Sequence, residues 1–265
     1  MCRLRSLFIL LPVFLSTFPT AFAMEPGNNK PVHNSRLFLA ADISMAWPEF
    51  SNDMTIDNGA PYPAPYNQDQ YTVKSQKQAA LGILGGLQWQ RQNDWIPAYS
   101  LGLRYQHLFS RSYSGLIVQY SLPQFTNYHY SWDINSDALM LFSKVDIYRF
   151  GRFLPYVDIG LGASINHSRH FQESALPGIT PRLSPYFGDK TKPNFAYMLG
   201  MGVDYELGSN LSIFLGYNYQ NLGRVQSGRG ISTWSGEYLD LGRYKANLIT
   251  LGASCYLDAN QPLLG

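Results

Sequence analysis

From residue 37 to residue 257 the chain repeatedly alternates between apolar positions and small or polar ones. Leu37, Leu39, Ala41, Ile43 and Met45 share one face of a segment whose other face carries Phe38, Ala40, Asp42 and Ser44. A period of two with unlike faces predicts a β-strand between two different surroundings. The pattern returns at 79–90, 98–109, 137–148, 156–167, 195–206, 211–220 and 245–257. In the fifth of the eight segments, Val157, Ile159, Leu161, Ala163 and Ile165 oppose Asp158, Gly160, Gly162, Ser164 and Asn166. No 3.6-residue periodicity competes in this region. Each segment has about the 9–11 residues with which a tilted strand crosses a bilayer.

The connections alternate in length. Residues 48–78, 110–136, 168–194 and 221–244 are long; 91–97, 149–155 and 207–210 are short. A transmembrane barrel produces this parity, with short periplasmic turns and long external loops. The apolar face is continuous, whereas the opposite face reads as Gly, Ser, Asn, Gln and a few charges. That second face is a poor core for a soluble sandwich. In a membrane the apolar face meets lipid, the polar face fills the lumen, and closure satisfies every backbone group. A secreted ligand-binding barrel is the alternative for the same alternation. Aromatic residues gather at the strand ends: Trp89, Trp95, Tyr99, Tyr148, Phe150, Phe153 and Tyr205 toward the short turns, Trp47, Tyr197, Tyr217 and Tyr219 toward the long loops. Two such rims fit the girdles of a membrane barrel.

Composition narrows the choice. Charged residues make up 14% and aromatics 15%, against roughly 25% charged in an ordinary soluble domain. Residues 1–23 read as a secretory signal, with Arg3 and Arg5 before the apolar run Leu7–Leu15 and a small-x-small site at Ala21-Phe22-Ala23. Beyond it Lys plus Arg balance Asp plus Glu at 18 each, which argues against a nucleic-acid footprint. Cys255 is then the one remaining cysteine, so no internal disulfide is expected. The expected organisation is signal peptide 1–23, periplasmic tail 24–35, barrel 36–257 and C-terminal tail 258–265.

With these strands in place, the stretches GLRYQHLF (102–109), SLPQFTNYHYSW (121–132), PYVDIGLGAS (155–164) and FAYMLGMGVDYEL (195–207) resemble the OmpA-like transmembrane barrel superfamily. The likeness is to its outer membrane protein β-barrel domain and opacity-type surface antigens, and it covers roughly residues 36–257. It implies a Gram-negative outer-membrane location. The implied roles are structural, adhesive or pore-forming. The chain departs from the usual terminal aromatic, because Tyr256-Leu257 is followed by a polar run from Asp258.

The expected fold is therefore all-β: an eight-stranded antiparallel transmembrane β-barrel of the outer membrane. Its lumen-facing ionisable residues are Asp42, Arg104, Lys144, Asp146, Asp158, Asp204 and Glu206. A narrow barrel holds little water, so they are expected to pair, with Arg104 and Lys144 neutralising Asp42, Asp158 and Asp204. In the long loops Tyr62, Tyr66, Tyr71, Phe125, Tyr128, Tyr130 and Trp132 are candidate exposed anchors for a surface ligand. The competing expectation is a tyrosine-rich cap packed over the barrel mouth. Catalysis would need a His–Ser pair with a carboxylate at the outer rim. His167-Ser168 with His170, and His129-Ser131-Asp133, are the places to look, and neither carries a familiar motif. No enzyme activity, metal or cofactor is expected. Expected partners are outer-membrane lipid and lipopolysaccharide, the barrel-assembly machinery, and a host or cell-surface ligand at the loops. The foremost role is structural or surface-interactive, with a narrow pore second and a lipid-modifying enzyme third.

Overall fold

The computed structural model describes residues 34–51 and 54–258. The predicted signal peptide lies outside them, as do all but the last residues of the predicted tail 24–35 and residues 259–265. Ten strands follow in order: β1 (Asn34–Phe50), β2 (Met54–Asp57), β3 (Gln68–Tyr71), β4 (Gln78–Gln90), β5 (Trp95–Val118), β6 (Thr126–Tyr148), β7 (Phe153–Ala175), β8 (Lys190–Glu206), β9 (Leu211–Arg229) and β10 (Tyr238–Asp258). Eight of them close an antiparallel ring in the order β1-β4-β5-β6-β7-β8-β9-β10, with β10 pairing back to β1. Closure leaves the spanning sheet without an edge. The short hairpin β2–β3 belongs to the first long connection and pairs with the upper end of β5 at Gln70↔Val118 and Tyr71↔Ile117.

The faces point as the alternation predicts. Leu39 and Ile43 are 54% and 63% exposed, while Phe38 and Asp42, each immediately before one of them, are 5% and 2% exposed. Leucines, isoleucines, valines and methionines repeat this outward placement around the ring. An apolar exterior around a polar-containing interior is the inverse of a soluble barrel and is stable only against lipid. Aromatic pairs mark the lower rim, with Trp89 stacked on Tyr99 at 5.2 Å and Trp95 edge-on to Tyr148 at 5.1 Å. Tyr197 meets Tyr219 at 6.3 Å on the outer side.

The strands outrun the predicted loop boundaries. Residues 110–136, expected as a loop, are mostly sheet, because β5 reaches Val118 and β6 begins at Thr126. Likewise β7 runs to Ala175, β9 to Arg229, and β10 starts at Tyr238. β1 begins inside the expected tail, at Asn34. β5 alone has 24 residues, roughly twice a bilayer crossing. A register shift between Leu108 and Arg111 explains why simple parity fails there: the bulge resets the faces, turning Tyr113 and Ile117 inward.

Candidate functional site

The lumen is the first candidate site, and it is packed. At its lower level Phe38, Leu84, Phe142, Tyr156, Phe214 and Tyr256 form a buried apolar cluster. Phe38 meets Phe142 edge-on at 5.9 Å. The expectation of a lumen filled by small polar groups is corrected here: the glycines make room for rings. A Cβ on Gly252 would lie 2.3 Å from Phe214, and one on Gly202 2.5 Å from the Tyr156 hydroxyl. A void of about 30 Å³ remains beside Phe142, Lys144, Tyr156 and Asp158, room for a water molecule or two.

The predicted lumen charges divide into separate groups. Arg104 Nη2 lies 2.9 Å from an Asp42 carboxylate oxygen, both side chains almost wholly buried. Lys144 donates to Asp204 and lies 3.7 Å from Asp146. Glu206 pairs with Arg149 at 2.7 Å. Asp158 is the exception to the predicted pairing: no cation comes within ion-pair distance of it among the described residues, and its Oδ1 borders the small void without a hydrogen-bond partner. Arg36 and Arg149 are missing from the predicted set. Arg36 has lumen parity on β1, donates to Gln88 Oε1 at 2.7 Å and lies 3.6 Å over the Tyr256 ring. Parity could have found Arg36. Arg149 sits in a turn and could not be found that way.

Above the membrane the loops form a second packed layer. Met54, Ile56, Tyr71, Tyr113, Ile117, Tyr130, Trp132, Phe171, Phe187, Trp234 and Tyr244 belong to one buried cluster over the barrel mouth. Four predicted surface anchors are therefore corrected: Tyr71, Tyr128, Tyr130 and Trp132 are buried. The physical reason is that the extended β5–β6 hairpin keeps alternating, and these residues take its inward face, while Tyr71 is carried in by the β2–β3 hairpin. Burial raises the Tyr71 and Tyr130 hydroxyl pKa values above the ordinary range.

An ion cluster fastens this layer. Arg182, from the Pro-rich third connection, donates to Asp69 on β3 at 2.7 Å and to Glu173 on β7 at 2.8 Å. Asp69 and Glu173 are 1% and 2% exposed at their side chains. The Arg182 guanidinium also lies 4.7 Å from the Tyr128 ring and 5.1 Å from the Trp234 ring. Burial alone would lower the Arg182 pKa, but the hydrogen bonds and charges of Glu173 and Asp69 outweigh it and raise it. No periodicity marks Arg182 in the sequence, so it was not among the predicted site residues.

At the tips, Tyr62 (61% exposed), Tyr66 (46%) and Phe125 (40%) are accessible. With Ala60, Pro61, Tyr120 and Leu122 they line an open groove of about 520 Å³. It lies between the first connection and the β5–β6 turn.

The predicted catalytic clusters do not assemble. Ser168 faces inward and donates to Gln226 O at 2.7 Å, away from the exterior His167. His129 is exposed, and Asp133 pairs with His170 at 3.1 Å instead. On the outer wall, His167 Nδ1 meets Thr191 Oγ1 at 2.9 Å, while its Nε2 lies 3.4 Å from Asp137. His107 holds the same carboxylate at 2.8 Å, and Tyr105 donates to it at 2.6 Å. Acyl transfer also needs donors aimed at an oxyanion. The strand carrying His167 is paired on both sides, to Asn135 and to Thr191, so its backbone lies within the sheet rather than in an open loop. No group of three or more metal-ligating side chains occurs among the described residues.

No curated relative matches the chain in sequence. Among solved structures, it is similar to OprG of Pseudomonas aeruginosa, an outer membrane protein (14% identity, 86% of this chain and 98% of that one, TM-score 0.49). It is also similar to Neisserial surface protein A (14%, 83% and 96%, TM-score 0.45). A third is the outer membrane protease OmpT of Escherichia coli (12%, 86% and 97%, TM-score 0.34). Likeness at this level carries no argument about activity. The family match is stronger: residues 39–256, nearly the whole closed ring, match the outer membrane protein beta-barrel domain, and the chain belongs to that family of the Gram-negative outer membrane.

Proposed function

We propose that this protein is a non-conducting, non-enzymatic surface barrel whose cap presents the tip groove to a ligand on a host or neighbouring cell. The carrying observation is the double closure of the lumen. A buried aromatic layer fills the barrel, and a second layer fastened by Arg182 lies over its mouth. A pore for ions or solutes would need a continuous polar path, and these two layers occupy it. What remains accessible above the membrane includes three large aromatic side chains around one groove, Tyr62, Tyr66 and Phe125. Aromatic groups of this kind anchor interfaces, because they bury large area with few rotatable bonds.

The test is adhesion of cells displaying the protein to immobilised glycans and matrix proteins. Wild type should adhere to at least one such surface. The Tyr62→Ser/Tyr66→Ser/Phe125→Ser variant should lose most of that adhesion at an unchanged amount of heat-modifiable barrel. Equal adhesion by both would reject the groove as the binding site.

A further inference from the structure

The outer rim is electrically uneven. On β5–β7 the imidazoles of His107 and His167 share Asp137. On β8–β10 the balance is different. Lys190 Nζ and Lys192 Nζ both donate to one neutral acceptor, Gln226 Oε1, at 3.3 and 2.8 Å. Neither ammonium has a carboxylate oxygen within 4.0 Å among the described residues. The nearby acid, Asp240, accepts from Gln226 Nε2 at 2.8 Å and lies 4.0 Å from Arg224. Arg224 in turn stands directly opposite Arg243 across the β9–β10 ladder. Like charges in that position repel. Partial burial first, and then Lys190 and Arg224, pull the Lys192 ammonium below its ordinary pKa, with Asp240 opposing.

The place is as informative as the charge. Lys190 and Lys192 come just before Phe195, which is 67% exposed at the top of the lipid-facing band of β8. The β8–β9 ladder ends at Tyr197↔Asn221. Above it the Asn194 amide bridges the strands, accepting from Arg224 N at 3.0 Å and donating to Arg224 O at 3.2 Å. The cations thus flank an interruption of the sheet at headgroup height.

We propose that Lys190, Lys192, Arg224 and Arg243 form a docking site for a phosphate group on the sugar headgroup of an outer-leaflet glycolipid. A phosphate monoester brings up to two negative charges and three acceptor oxygens, matching a crowd of donors short of anions. The acyl chains would lie down the wall below, along Phe195, Leu199 and Met201. This site rests on the membrane placement alone and is independent of the tip groove.

Native mass spectrometry of the detergent-purified protein tests it with three probes: bis-phosphorylated lipid A, lipid A stripped of both phosphates, and inorganic phosphate. The phosphorylated lipid should bind at least about tenfold more tightly than the stripped one. Inorganic phosphate at equal concentration should leave it bound. Lys190→Gln/Lys192→Gln/Arg224→Gln should abolish the preference, while Lys190→Arg/Lys192→Arg keeps it. Should the triple variant fail to fold, Arg224→Gln alone, at a side chain 55% exposed, should weaken binding about fivefold. Equal binding of the two lipids, or a glutamine variant that retains the preference, would overturn the site. Displacement by inorganic phosphate would overturn the lipid as its occupant.

Discussion

Arg182 reaches across 113 residues of sequence to donate to Asp69 at 2.7 Å, joining the third external connection to the first. The same guanidinium holds Glu173 at 2.8 Å, so β3, β7 and the third connection converge on one partly buried cation. Removing the cation strands two buried carboxylates, a loss of about 3–5 kcal/mol. Arg182→Ala should therefore open the cap: limited proteolysis should cut within 168–194, where wild type resists, while the spanning ring survives. The Asp69→Asn/Glu173→Gln changes added to Arg182→Ala should restore part of the resistance, because no uncompensated charge remains.

Within the membrane, Arg104 and Asp42 behave as a unit. Asp42→Asn leaves Arg104 without its carboxylate in a site where both side chains are nearly inaccessible. The unfolding temperature of the heat-modifiable band should fall by an amount corresponding to about 3–5 kcal/mol. The double variant Asp42→Asn/Arg104→Met should recover most of it, giving a large coupling in a double-mutant cycle.

Gly252 is the tightest test of the aromatic lumen. An added methyl would sit 2.3 Å from the Phe214 ring and 2.6 Å from the backbone oxygen of Ala41. Gly252→Ala should destabilise the barrel by about 1–3 kcal/mol, the usual cost of overpacking. Phe214→Leu in the same chain should relieve part of that loss. Both effects are read from thermal unfolding in detergent.

The cap also carries a pH dependence. Burial holds the Tyr71 and Tyr130 pKa values above the ordinary tyrosine range. Their folded pKa values exceed the unfolded ones, so their contribution is complete below the unfolded value, about 10. It is lost as pH rises from there through the folded values. Protease resistance of the cap should hold at neutral pH and fall above about pH 10, later in Tyr71→Phe/Tyr130→Phe than in wild type. An unchanged alkaline onset in that variant would rule these two hydroxyls out.

The spanning ring was legible because a two-residue period between lipid and lumen leaves a strong signature. It placed Leu39 outside and Asp42 inside, and parity alone assigned Arg104 and Lys144 to the lumen. The size of the lumen residues was less legible. Phe38, Phe142 and Phe214 share a face with glycines, and only the closed ring brings each large ring opposite an absent side chain. The cap was the least legible part. Alternation through Leu116 and Val118 hinted that the sheet continued. The bulge near Arg111 resets the faces of β5 and hides the burial of Tyr113 and Ile117, whereas β6 keeps one parity from Tyr130 to Met140, both inward. Asp69 comes from the first long connection and Glu173 and Arg182 from the third, and no periodicity links them, so their meeting follows from tertiary structure alone.

The central claim, that barrel and cap together close the lumen, is tested most directly by current recording in planar lipid bilayers containing the purified, heat-modifiable protein. The packing predicts a silent membrane at every applied voltage, with no steps above baseline. Reproducible unitary steps from the intact wild-type protein would contradict it and return the lumen to the role of a pore.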